Sequence, residues 1–125
     1  MTKLNKEEQL DFFILRDGGI SMYHKNDFLN EDIDELENLG FRIVDFDTKK
    51  WTKETCHKDL KLGLDFPDYY GENLAALDDC IGDLMSMERK GLVIVFRNFD
   101  DFVQLDQKYS EGILDTIAYQ SRIWL

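Results

Sequence analysis

The chain is poor in the residues that staple, kink or catalyse: among 125 residues there are one proline, two cysteines and two histidines, and 15 basic residues stand against 26 acidic ones. Two cysteines, Cys56 and Cys80, are too few for a disulfide scaffold. The first ten residues, MTKLNKEEQL, lack the apolar core of an export signal, so both thiols are expected reduced in a cytoplasm. A Cys56–Cys80 disulfide between neighbouring helices is the less favoured alternative. No apolar run approaches the ~20 residues a membrane-spanning helix needs. A formal charge of −11 makes nucleic acid or an anionic membrane a poor direct partner and a basic protein the natural one.

Chemistry is equally short of parts. His24 and His57 are the only imidazoles, and Cys56 and His57, adjacent in sequence, point different ways, a poor start for a zinc site. A Gly-rich phosphate loop, a nucleophile elbow and a Cys/His pair with an orienting acid are all missing. Asp78 and Asp79 diverge by about 100° on a helix and do not share a site. Asp79 and Asp83, one turn apart, fall short of the roughly six oxygens calcium takes. Neither catalysis nor a cofactor or metal is expected.

What is present is material for a core. With 43% hydrophobic residues the chain is expected to form one domain over residues 1–125. The organising stretch is Gly63–Leu84, GLDFPDYYGENLAALDDCIGDL. Pro67 fixes φ and pushes Phe66 to extended geometry, which opens a turn. Of Tyr69 and Tyr70, one is expected to plug the core and the other to face solvent. Gly71 reads as a position needing positive φ or close approach. Asn73 can cap a helix beginning at Leu74. Leu74, Leu77, Ile81 and Leu84 then give one buried stripe. Ala75, Asp79 and Gly82 fall on the opposite side, with Asp78 and Cys80 flanking the stripe. Cys80 is expected to be inaccessible.

Around this helix, residues 1–9 read as a polar tail and Phe12–Tyr23 as a hairpin turning at Asp17-Gly18-Gly19. Asn30–Leu39 reads as a short helix with Asn30 as N-cap and Gly40 just past its end. Its acidic outer face is expected to be solvated surface. Phe41–Phe46 reads as a strand, Thr52–Leu62 as a helix capped by Thr52, and Gly91–Phe96 (GLVIVF) as a strand buried on both faces. The central helix is expected to fray near Met85–Met87. Helices at Phe99–Leu105 and Ser110–Ser121 follow, with Ile113, Leu114, Ile117 and Trp124 as the apolar side. Strand, helices, strand, helices is an α/β order with a small parallel sheet packed with helices and right-handed crossovers, preceded by an added hairpin and helix.

The run PDYYGENLAALDDC, Pro67–Cys80, closely resembles the signature of the barstar family of ribonuclease inhibitors, and the likeness extends more weakly over Phe41–Tyr119. The resemblance implies a barstar-like three-layer fold over 41–125, with 1–40 as an N-terminal extension. It further implies a cytoplasmic immunity protein, monomeric when free, that blocks a basic secreted or delivered ribonuclease. On this reading Asp79 enters the nuclease active site and stands in for an RNA phosphate. Tyr69, Gly71, Asn73 and Leu74 match the family's other contact positions, and Gly82 lies on the same outer side. Ala75 stands where the family has an aspartate, Asp78 where it has a tryptophan, and Tyr119 where it has a glutamate, so barnase itself is a doubtful target. Gly91 replaces a proline before the second strand. The family closes with a third strand after the last helix; Ile123-Trp124-Leu125 is expected either as the stub of that segment or as a last turn tucked into the core. The alternatives to inhibition are an acidic adaptor that docks on a basic protein without blocking an active site, and a purely structural or regulatory member.

Overall fold

A computed structural model of the chain describes residues 26–87 and 91–123. Its elements are helix α1 (Asn26–Asn38), strand β1 (Arg42–Asp47), helices α2 (Cys56–Leu64) and α3 (Leu74–Met87), strand β2 (Leu92–Arg97), and helices α4 (Phe99–Leu105) and α5 (Gln107–Ile123). This is the expected α/β order. The expected hairpin over Phe12–Tyr23, and Trp124, lie outside the described residues. Among the described residues the sheet has two parallel strands, with Val44 opposite Ile94 and Phe46 opposite Phe96. No described helix is long and apolar enough to cross a membrane.

The two strands differ as their sequences do. In β1, Val44 and Phe46 are buried while Asp45 and Asp47 are exposed, the alternation of a half-covered strand. In β2, Leu92–Val95 are all buried, as a strand covered on both faces requires. Gly91 sits at φ 125°, a conformation that proline's ring cannot reach, and β2 starts one residue later than expected. Behind the sheet, Phe46 stacks on Phe96 at 5.8 Å, and Trp51 meets Phe46, Phe96 and Phe102 at 5.5–5.9 Å. Trp51, 2% exposed, also donates its indole N–H to Asp59 Oδ2 at 2.7 Å.

Several helix boundaries differ from expectation for identifiable reasons. Helix α1 begins four residues before Asn30, whose side chain is not a cap: its Oδ1 accepts from Arg97 Nη2 at 2.7 Å. Arg97 also holds Asp45 through Nε, so one guanidinium ties α1 to both strands. Helix α1 ends as its glycine indicates. Gly40 takes φ 98°, its N–H reaches Glu37 O, and the N–H of Phe41 reaches Leu36 O. Thr52 and Thr55 exchange backbone-to-hydroxyl bonds of 3.0 and 3.2 Å, but they close a turn ahead of α2, which runs from Cys56. Leu64, fully buried, carries α2 two residues past its expected end. Helix α5 starts three residues before Ser110, because Asp106 Oδ1 accepts from the N–H of Tyr109 and Ser110 bonds back to Gln107 O within the helix.

Close approach of α2 to the sheet depends on Gly63. A Cβ built there would lie 2.6 Å from Phe46 Cζ, and that ring is held by Trp51 and Phe96. Gly63→Ala is therefore expected to destabilise the protein by about 1–3 kcal/mol, the usual cost of overpacking. Urea unfolding measures this, and a change within 0.5 kcal/mol, the ordinary scatter of surface substitutions, would show that Phe46 moves freely.

Candidate protein-binding face

The loop before α3 sorts its two tyrosines by environment. Tyr70 is buried and packs on Phe66 at 4.8 Å, whereas Tyr69 is 79% exposed. The N–H of Tyr70 closes a turn onto Pro67 O. Tyr70's hydroxyl lies 2.6 Å from His57 Nδ1, and the other ring nitrogen, Nε2, lies 2.5 Å from the hydroxyl of Tyr109. Burial holds the His57 pKa below 6.5, against a smaller opposing influence of Glu72, and it raises the pKa of both tyrosines.

Gly71 and Asn73 do not behave alike. Positive φ falls on Glu72 (φ 55°) and not on Gly71, which corrects the expectation for that glycine. A Cβ on Gly71 would make only ordinary contacts, 3.5 Å from Ala76 Cβ and Asn73 Nδ2. Among the described residues nothing requires a glycine there. Asn73 caps as expected: Oδ1 accepts from the N–H of Ala76 at 2.8 Å, and Nδ2 donates to Gly71 O at 3.3 Å.

On α3, Leu77, Cys80, Ile81 and Leu84 are buried, and Leu74 at the end of the stripe is only half-buried. The described helix ends at Met87, the last residue of the Met85–Met87 span in which its end was expected. Ala75 and Asp79 are exposed, as the helical phase requires. Among the described residues Asp79 has no hydrogen bond or ion pair. Gly82 is not on open surface: α5 packs along α3 there, and a Cβ on Gly82 would lie 3.0 Å from Gln120 Oε1. The same Gln120 donates from Nε2 to Asp78 Oδ1 at 2.8 Å, so half-buried Asp78 is turned toward α5 rather than outward. At the other end of the contact, a Cβ on Gly112 would come within 2.9 Å of Leu74 Cδ1. Small residues thus let the two helices approach at both ends. Tyr119, next to Gln120 on α5, is 56% exposed.

Of the predicted site residues, Tyr69, Gly71, Ala75, Asp79 and Tyr119 are exposed along one loop and one helix pair. Leu74, Asp78 and Gly82 are partly covered by α5, and Asn73 is committed to its cap. Sequence reasoning missed His57, Tyr109 and Gln120 as parts of this framework. Both cysteines are free and buried, and burial pushes the Cys56 thiol up to about 12.

The sequence matches the family described as Barstar (barnase inhibitor) over residues 41–125, beginning at the residue after the α1-terminating Gly40. A Bacillus subtilis (strain 168) protein named "Putative ribonuclease inhibitor YrdF" is 41% identical over 64 residues, which is 51% of this chain and 67% of that protein. No solved structure matches the chain. With an α/β frame in the expected order and a family match covering every element after α1, the chain belongs to the barstar family.

Proposed function

We propose that this protein inhibits a basic ribonuclease by inserting Asp79 among the cationic groups that hold the RNA phosphate. The observation that carries the reading is the state of Asp79: an exposed carboxylate on the outer face of α3, unpaired among the described residues, on the helix that follows the loop bearing Tyr69, itself 79% exposed. A carboxylate with no internal partner is free to make charge-assisted bonds to a partner's arginines and lysines. Tyr69 and Tyr119 supply the aromatic surface that protein interfaces favour. Gly71, which no internal contact explains, leaves room for close backbone approach by the nuclease.

The partner we infer is a secreted or delivered nuclease, and the role is immunity of the cell that makes it, exercised in the cytoplasm by a protein that is monomeric when free. Barnase is not the favoured target. An alanine at position 75 and a tyrosine at 119 replace two acids of the family pattern, and Asp78 is held by Gln120. A nuclease with fewer cations and more apolar surface around its phosphate site fits better. The direct test is hydrolysis of RNA by the product of the neighbouring reading frame, and by barnase, with and without this protein. Inhibition of neither, together with capture of non-nuclease partners only, would leave an adaptor role.

Charge makes a second test. Residues 65–115 hold 12 acids and 4 bases, a local −8. Association with the nuclease is therefore expected to slow by about tenfold or more between low and physiological salt, with dissociation changing much less. Stopped-flow kinetics would measure both rates. An association rate indifferent to salt would rule out electrostatic steering.

A further inference from the structure

Asp78 and Asp79 are consecutive on α3, yet their surroundings differ. Asp79 is exposed and makes no hydrogen bond or ion pair among the described residues. Asp78 is half-buried, and its Oδ1 accepts from Gln120 Nε2 at 2.8 Å. Gln120 is 9% exposed and lies in the seam between α3 and α5. Gly82 gives it room there, since a Cβ at 82 would lie 3.0 Å from Gln120 Oε1. A glutamine side chain is costly to order, and packing in the seam orders this one before any partner arrives. The amide is neutral, so the bond leaves the charge of Asp78 intact while turning its carboxylate toward α5. That charge still adds to the field that steers a basic partner. To bond a partner's cation, however, Asp78 has to leave Gln120, and a nearly buried amide is then left without its acceptor.

We propose that Gln120 is a positioning residue that decides which ribonucleases this face accepts. By holding Asp78 against α5 it limits the Asp78-Asp79 pair to one docking carboxylate, and so favours a nuclease with a single cationic cluster over one that engages several acids. Tyr119, the preceding residue, points about 100° away round α5 and is 56% exposed. A phenol there offers aromatic area and a hydroxyl but no charge, which suits an apolar rim beside that cluster. An Asp78 released from Gln120 would return a second carboxylate to the same edge and shift the preference toward more basic sites. The hold on Asp78 is a property of the fold alone; its bearing on target choice rests on the proposed function.

The test takes two readouts on the full chain. The first needs no partner: carbodiimide coupling of an amine to the carboxylates, located by tandem mass spectrometry. Gln120→Met keeps the length of the side chain without its amide, and is expected to raise the labelling rate of Asp78 about tenfold, the effect of one hydrogen bond, with Asp79 unchanged. The second is inhibition of RNA hydrolysis by the product of the neighbouring reading frame and by barnase, the probe for a nuclease bound through several close charge pairs. Gln120→Met should tighten binding to barnase about tenfold and leave binding to the neighbouring nuclease level or weaker. Adding Asp78→Asn should remove that gain, which a mere loosening of the helix pair would not do. Thermal melts check that each variant folds, and Gln120→Ala repeats the comparison if the methionine does not pack. An Asp78 rate indifferent to Gln120, a barnase gain that survives Asp78→Asn, or an unchanged preference in a protein that inhibits the neighbouring nuclease would each overturn the proposal and leave the inhibitor reading standing. Inhibition of neither nuclease by any variant, with Asp78 still released by Gln120→Met, would instead sink the inhibitor reading and the selection built on it.

Discussion

Asp79→Ala is expected to weaken binding to the target ribonuclease by about 2–5 kcal/mol, because truncation leaves the nuclease's basic groups buried without their partner. The folded protein should not notice the change. Asp79 is exposed and makes no internal bond among the described residues, and alanine is the best helix former. Its neighbour should behave in the opposite way. Asp78 accepts from Gln120, which is only 9% exposed, so Asp78→Ala leaves that amide without its acceptor and is expected to cost about 1–3 kcal/mol of stability. Its effect on binding should be the smaller of the two, since it faces α5. Calorimetric binding and thermal melts of both variants give the four numbers required. Equal, small binding losses would mean that the partner docks elsewhere, and the active-site plug would have to be abandoned.

The largest stability effect is expected at Trp51. This ring touches Phe46, Phe96 and Phe102 and so joins β1, β2 and α4. Trp51→Ala should destabilise by about 3–5 kcal/mol, the range for removing a large aromatic from a core that relaxes only partly. Trp51→Phe should cost less, mainly the bond to Asp59, about 0.5–1.5 kcal/mol. Denaturant titration followed by circular dichroism would decide. A loss below 1 kcal/mol for Trp51→Ala would show that the cluster is not the centre of the fold.

How much of this was legible beforehand depended on whether the signal was local. The stripe Leu77, Ile81, Leu84 and the cap at Asn73 sit within one helix and its first turn, and period and capping chemistry suffice to read them. The apolar run of β2 needed no partner to declare itself. The polar pairs that build the framework are distant in sequence: 42 residues between Asp78 and Gln120, 52 between His57 and Tyr109, 67 between Asn30 and Arg97. No periodicity encodes them. The same reason accounts for the misplacements. Asn30 has the side chain of a cap, but an arginine 67 residues further along the chain uses it. Gly71 is the residue that tolerates positive φ, but the chain places that conformation on Glu72. Gly82 lies opposite the apolar stripe, yet a second helix covers that side too.

The contacts between α3 and α5 carry one more implication. Leu74 meets Gly112 and Gly82 meets Gln120, so the two helices run in the same direction. Their peptide dipoles are consequently aligned, each placing roughly half a positive charge at its N-terminus. The two positive ends lie on the same side of the molecule, one at Leu74 and one at Gln107, and the His57 ring adjoins both through its bonds to Tyr70, four residues ahead of α3, and Tyr109. An imidazolium there would face two such fields at once, a repulsion that adds to the cost of its burial. The opposite ends, at Met87 and in the last turn of α5, carry the partial negative charge. The Tyr69–Asn73 loop sits at the positive end, so the attraction of this face for a basic nuclease rests on side chains such as Asp79 and draws nothing from the backbone.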